Sequence, residues 1–453
     1  MFATDKEYYI FIYKTFRIMN SKLIVGIIVS IFSLYAPASL AALKITEVMP
    51  CNLSTISGDD YNFNGYVEIY NDGDDIDLRD WTVINKKGDK ENWKLMLDST
   101  HVLRADVYNL IFFGEKETSS TTAHLVYKKF VGTAPQKLCT EAGEIMFTNG
   151  TDTISMSYPQ QYPHLAYYKQ GYMIPSPGKR YETQFVTEYT NRVQKVNFEG
   201  NTPGLYDYAG ITVALSCNTD SATIFYTTDG SIPTSTNGME YEEPIVLDKS
   251  AVIRVRAYRD SMLYSEVTTG SYIMPDVFHD ECATYGERLP IVSISTDPKN
   301  FFDDTLGIYV KGTNGIISGC YNDQPYNFNQ DWTRPVNFEY ILNGKVVDNQ
   351  ELEVGVYGGC TRIHNARSLK LKATKRTGDN RFQYRDFFKD QKMKRFKSLA
   401  LRNGGNGYSY IPPRWRDMYM QSLADGLNVD KQSAQPVAYY INGEYWGLMI
   451  LTE

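Results

Sequence analysis

The chain has 453 residues, with 46 Lys and Arg against 53 Asp and Glu and a net charge of −7, giving a pI near 5.5. That balance argues against a nucleic-acid-binding protein, which would usually show a basic domain, and the length admits about three domains. Aromatic residues make up 14%, including 36 tyrosines, which suits β-rich folds and surfaces that contact protein or carbohydrate.

The first 41 residues read as a secretory signal peptide. Lys22 precedes an apolar run from Leu23 to Tyr35, and small residues in Ala36-Pro-Ala-Ser-Leu-Ala-Ala42 place cleavage after Ala41. Residues 1–18 are too polar and aromatic for an n-region, so Met19 is a possible start. The alternative, an uncleaved anchor, needs a run of about 20 apolar residues. No other stretch is apolar enough to cross a membrane, so the expectation is a secreted, periplasmic or cell-surface protein. The six cysteines, at 51, 139, 217, 282, 320 and 360, form no C-x-x-C pair and argue against zinc. In an exported protein Cys51 can pair with Cys139, and two of Cys282, Cys320 and Cys360 with each other. Free buried cysteines are the alternative.

Residues 42–183 form a first unit of short strands separated by turns. Leu43-Lys-Ile-Thr-Glu-Val-Met49, Tyr66–Asn71, Leu78–Val83 and Val107–Phe113 carry the alternation of half-buried strands, a β-sandwich pattern. Asp72, Asp74, Asp75 and Asp77 lack the spacing of a calcium loop and read as a solvated turn. Trp81 and Trp93 read as core. Glu47-Val-Met, Gly65-Tyr-Val-Glu-Ile-Tyr-Asn71 and Leu78-Arg-Asp-Trp81, with Pro175-Ser-Pro-Gly178 later, resemble the lamin-tail domain. That resemblance implies an immunoglobulin-like fold.

Residues 184–198 are polar and read as a linker or connecting strand. In 199–274, Thr223-Ile-Phe-Tyr-Thr-Thr-Asp-Gly-Ser-Ile-Pro-Thr234 sets a strand before an Asp229-Gly230 turn. Ala251–Tyr258 is a second strand, with Arg254 and Arg256 expected on its outward face. Tyr-Thr-Thr-Asp-Gly-Ser-x-Pro-Thr resembles the C-terminal module of chitobiases and hexosaminidases, which implies a small accessory sandwich without glycosidase carboxylates.

Residues 275–288 bridge to a last region, 289–453. There strands are expected around 291–295, 307–311, 335–341, 351–357 and 368–373. Apolar spacing predicts helices over 384–388 and 414–427, and Asn442-Gly443 predicts a hairpin. Gly355-Val-Tyr-Gly-Gly-Cys-Thr-Arg362 joins close-approach glycines to the alternating basic strand Arg367-Ser-Leu-Lys-Leu-Lys372. Such a loop can hold a polyphosphate. The same pattern also describes a hairpin with a solvated basic face. Arg402 in Arg402-Asn-Gly-Gly405 either joins that site or pairs with a carboxylate such as Asp417.

With Leu289-Pro-Ile-Val-Ser-Ile294, Trp332-Thr-Arg334, Trp415-Arg-Asp417 and Tyr440-Ile-Asn-Gly-Glu-Tyr-Trp-Gly-Leu448, these motifs resemble the CotH kinase family of secreted atypical protein kinases. The resemblance implies ATP with Mg²⁺ or Mn²⁺ as cofactor and hydroxyls of extracytoplasmic proteins as acceptors. The candidates for holding the ATP phosphates are the residues of the basic loop and strand: Lys370 or Lys372, with Arg362 and Arg367 beside them and Arg402 nearby. The family's catalytic and metal-binding aspartates lie in a later lobe with no counterpart here, so no catalytic residue or metal ligand is carried over. Glu453 is an analogue of the glutamate that pairs with the nucleotide lysine in ordinary kinases. The expected fold is therefore mainly β and multi-domain: two immunoglobulin-like sandwiches followed by an α+β partial atypical-kinase lobe. The alternative function is a catalytically silent surface-binding protein.

Overall fold

The computed structural model describes residues 43–453 except 59, 98–101, 115–123, 127–135, 170, 180–184, 275–288, 319–323, 390 and 406–414. The expected signal peptide, the 275–288 bridge, Cys282 and Cys320 lie outside the described residues.

The first unit is a two-sheet sandwich. Leu43–Met49, Gly65–Asn71 and Val107–Phe113 pair antiparallel at the centre of a six-stranded sheet, and Thr82–Lys87 with Gly143–Thr148 centre a four-stranded one. Val67, Ile69, Val83, Ile111 and Phe147 are fully buried between them, joined by Trp81. Trp93 is half-buried beside this core and donates its indole N–H to the Lys137 carbonyl at 2.7 Å. The expected strand 78–83 is interrupted. Asp80 takes φ +67° and the Trp81 amide donates to the Leu78 carbonyl, so the strand starts only at Thr82. The acidic stretch is a turn, as expected: Asp72 pairs with Lys44 and Asp75 with Arg104. Cys51 and Cys139 are both free, which overturns their proposed bridge; burial pushes the Cys51 thiol up to about 12. Cys217 is also free, whereas Cys360 is disulfide-bonded.

The stretch from 185 onward packs rather than dangles. Val186 and Val193 are buried, and Tyr189 stacks on Tyr162 of the first unit with centroids 3.4 Å apart. The second unit is again two layers. Val196–Gly200, Ile211–Cys217 and Ile245–Leu247 face Thr223–Thr227, Ala251–Tyr258 and Thr268–Ile273 across a core that includes Val213, Ile253 and Val255. Gly230 closes the expected turn at φ +89°. A Cβ there would lie 2.4 Å from the Thr296 carbonyl and 2.3 Å from Asn442 Oδ1, so only glycine lets the last region come this close.

Arg254 and Arg256 depart from expectation. They do share the outer face of their strand, but they are 3% and 5% exposed because the first unit and the last region cover that face. Arg254 donates to the Gly230 carbonyl at 3.0 Å and pairs with Glu351 at 2.7 Å.

Among its described residues the last region holds seven strands: β1 (Ile291–Ser295), β2 (Arg334–Leu342), β3 (Lys345–Val356), β4 (Leu369–Lys372), β5 (Ser398–Arg402), β6 (Ala434–Ile441) and β7 (Glu444–Thr452). Their hydrogen-bonded order is β3-β2-β1-β6-β7-β5-β4, and β4 returns to β3. The sheet therefore closes into a barrel, and the only parallel pair in it is β1 with β6. Closure removes edges, and a barrel this narrow is filled by side chains. Ile294, Phe338, Val354, Leu371, Leu401, Tyr439 and Leu451 point inward, with Phe382, Phe387 and Phe396 packed against them. Asn442 (φ +49°) and Gly443 (φ +84°) make the predicted β6–β7 hairpin turn. The short strand Gly204–Leu205 links the second unit to the barrel through Thr268–Ile273 and Lys345.

Two local expectations fail here, and a third holds over a shorter span. Residues 307–311 form no strand; the Ile308 and Tyr309 amides donate to Asn300 and Phe301 of the short helix α1 (Pro298–Phe302). Residues 384–388 are irregular, and their apolar spacing serves to seat Phe387 and Phe388 in the core. The helix expected over 414–427 is α2 (Arg416–Ser422), followed by turns. Its apolar side chains face solvent, with Met420 59%, Leu423 57% and Leu427 64% exposed.

Candidate functional site

Strand β4 decides which way the basic residues point. Leu369 and Leu371 are fully buried in the barrel, so the intervening Lys370 and Lys372 stand on its outer face. Lys370 is flanked in register by Gly355 on β3 and Ala400 on β5. Neither neighbour has a side chain that reaches over it. Lys372 lies beside Glu353, but that carboxylate is engaged by Arg376 at 2.8 Å and Thr374 Oγ1 at 2.9 Å. Among the described residues neither lysine has a carboxylate partner.

At the end of this face lies a cavity of about 580 Å³, lined by Tyr357, Gly358, Arg362, Ser368, Arg402 and Gln432 among others. Two loops shape it, and Asn403 ties them together: its amide donates to Ser368 Oγ at 3.0 Å and its side chain to the Ala366 carbonyl at 2.9 Å. Gly358 adopts φ +98°, and a Cβ there would meet Thr361 Oγ1 at 2.7 Å, so the turn requires glycine.

The sequence-derived residues divide. Arg402 lines the cavity, but its Nη1 pairs with Asp417 at 2.5 Å and donates to Gln432 Oε1 at 3.1 Å, as the carboxylate alternative anticipated. Arg362 also lines it while holding the loop: Nε donates to the Gly358 carbonyl at 2.6 Å and Nη1 to Asn329 at 2.7 Å, with Asp331 at 3.5 Å. Arg367 is turned away. It is 7% exposed and lies over Phe328 and Tyr309, with centroid distances of 4.2 and 5.2 Å. Burial also holds its pKa below the usual arginine value. Its expected place beside the phosphates is corrected to a place in an aromatic stack, because the chain re-enters the barrel at Ser368 and takes Arg367 with it. Glu453 accepts from Gln391 Nε2 at 2.7 Å and the Ser433 amide at 3.0 Å, and pairs with no lysine among the described residues. His364 is exposed, as a polar loop residue.

Sequence reasoning missed Tyr357, Ser368, Asn403 and Gln432. Tyr357, Ser368 and Asn403 lie within the quoted motifs but are common polar types that no charge or spacing singles out, and only the fold brings Gln432 beside them. What the face can do chemically is attract an anion: two unpaired ammonium groups stand on it, next to glycine loops and a partly neutralised guanidinium. The only carboxylate close to Arg402 among the described residues is Asp417, already paired with it. No group of three or more His, Cys, Asp or Glu able to hold a metal occurs among the described residues.

Comparison with known families supports the reading in part. Residues 354–453 match the family model described as CotH kinase protein. Residues 213–272 match the one described as Fn3 associated, which covers most of the second unit. No curated protein matches the chain. The matched CotH segment begins in the second half of β3 and contains β4 to β7, so it includes Lys370, Lys372 and the cavity at their end.

Proposed function

We propose that the outer face of β4 and the adjoining cavity form the nucleotide-phosphate site of an atypical kinase-like protein. The observation that carries this reading is the pair Lys370 and Lys372. They have no carboxylate partner among the described residues, sit on an open strand face with only Gly355 and Ala400 beside Lys370, and belong to the segment matched by the CotH model. Ammonium groups left unpaired on a strand face suit phosphate oxygens. Arg402 adds a guanidinium at the cavity wall. On this reading the ligand is ATP with Mg²⁺ or Mn²⁺, and the activity is transfer of the γ-phosphate to hydroxyls of extracytoplasmic proteins. Export rests on the apolar leader alone.

The described residues fit the phosphates better than the metal. Asp417 and Asp331 lie beside the cavity's arginines, paired with Arg402 and Arg362. No catalytic step through a metal is therefore derived. The same observation favours a second reading, a surface-binding protein whose barrel engages phosphate-bearing ligands without chemistry. The experiment is ATP titration of the chain from residue 42, followed by thermal unfolding. Lys370→Ala with Lys372→Ala should abolish the ATP-dependent rise in Tm, and an undiminished rise removes these lysines from the site. Metal-dependent label transfer from ATP then separates the kinase reading from the binding reading.

A further inference from the structure

A different cavity, of about 630 Å³, opens where the three units meet. Residues 54–57 and His164 come from the first unit, Arg256 and Tyr264 from the second, and Glu351 from the barrel. A neighbouring cavity of about 650 Å³ shares His164, Arg256 and Glu351, so these residues stand at the partition. Volumes of this size are those of small-ligand sites.

The charges in the first cavity do not balance. Arg254 is matched by Glu351 at 2.7 Å. Lys299 and Asp297 bring opposite charges to the lining, and the Asp297 carboxylate caps the Lys299 amide at 3.0 Å. His164 is neutral, since burial and the neighbouring Arg256, Arg254 and Arg192 hold its pKa down to about 3. Arg256 remains. It is 5% exposed, and its guanidinium lies 4.0 Å from the Tyr264 ring centroid. Its Nε has no hydrogen-bond partner, and no carboxylate pairs with it among the described residues. A buried guanidinium without a counter-charge is costly, and the stacked tyrosine offsets only part of that cost. A ligand entering the cavity can supply the missing charge.

We propose that this three-unit cavity binds a small monocarboxylate, with its carboxylate on the guanidinium of Arg256 and its body against Tyr258, Tyr264 and the apolar wall of Phe63 and Leu306. The planar fork of arginine matches a carboxylate through two parallel hydrogen bonds. One uncompensated positive charge calls for one negative charge, and the Glu351 carboxylate disfavours a phosphate dianion in the same space.

The test is calorimetric titration of the full chain with benzoate and glucuronate. Benzamide and glucose serve as uncharged counterparts, and inorganic phosphate as the dianion. At least one carboxylate should bind about tenfold or more tightly than its uncharged counterpart, the difference expected of one charge-assisted pair; which of the two does so distinguishes an aryl acid from a sugar acid. Arg256→Met, which keeps a side chain against Tyr264, should lose that preference. Glu351→Gln still accepts from Arg254 but removes the competing charge, so it should tighten binding, and it serves if the Arg256 variant fails to fold. The proposal is overturned if neither carboxylate is preferred over its uncharged counterpart, if phosphate binds more tightly than both, or if the variants leave the affinities unchanged.

Discussion

Replacing Glu47 by glutamine should make the protein more stable at neutral pH and less sensitive to pH. Glu47 is 1% exposed, on the face of the six-stranded sheet that carries Tyr66. Tyr66 donates its hydroxyl to Glu47 Oε1, and the Ser176 amide donates to Oε2 at 3.1 Å, so this carboxyl holds the 175–178 loop against the strands. Burial raises its pKa from 4.5 to about 8, with nearby Glu68 adding to the effect. Below pH 4.5 both the folded and unfolded chains keep the proton, and the group costs nothing. Between 4.5 and about 8 the unfolded chain releases a proton that the folded chain retains. Stability therefore falls as pH rises, by about 1.4 kcal/mol per pH unit, which accumulates to roughly 3 kcal/mol at pH 7. Glutamine has no proton to lose, and its amide can accept from Ser176 while donating to the Tyr66 oxygen. Glu68 and Glu339, both raised by burial to about 7, act in the same direction as Glu47. His164, lowered to about 3, acts oppositely below pH 6.5, where the unfolded chain takes up a proton that the folded chain refuses. Comparing the variant with its parent cancels these other groups. Urea unfolding followed by tryptophan fluorescence, to which Trp81 of the same unit contributes, should give free energies whose slope against pH differs by about one proton between pH 5.5 and 7.5. Parallel curves for the two proteins would refute the assignment of Glu47 as a buried, protonated carboxyl.

Two further outcomes follow from packing. Leu371→Ala removes a fully buried side chain from the barrel interior and should cost about 2–5 kcal/mol; a loss below about 1 kcal/mol in urea titration would mean the barrel collapses around the gap or is not closed at β4. Gly230→Ala places a methyl group 2.3 Å from Asn442 Oδ1 at a backbone angle of φ +89°. It should destabilise the chain by about 2 kcal/mol or more, and an unchanged Tm would show that the second unit and the barrel do not meet as described.

The local patterns were legible in the sequence. Leu369 and Leu371 alternate with Lys370 and Lys372, and that period of two alone places the leucines inside and the lysines outside. Asn442-Gly443 names its turn through backbone preferences that need no partner. The β-rich character of all three units follows from the same short-range logic. Where a pattern depended on what lies across from it, the sequence was silent. Arg254 and Arg256 occupy the outward face they were assigned, yet that face is buried, because another unit covers it. Arg367 carries the charge expected of a phosphate ligand but stacks on Phe328, a residue 39 positions away that only the fold brings near. The apolar spacing of residues 417–427 predicted a helix, which forms over part of that span, but Met420 and Leu423 are exposed because nothing in the described chain packs on them. Alternation along a strand is fixed by bond geometry, so the sequence by itself determined which residues share a face. Which faces meet depends on contacts between residues far apart in the chain. Only the tertiary structure therefore decided that seven strands close into a barrel, that Ser368, Asn403 and Gln432 gather at its end, and that Arg256 is buried without a counter-charge.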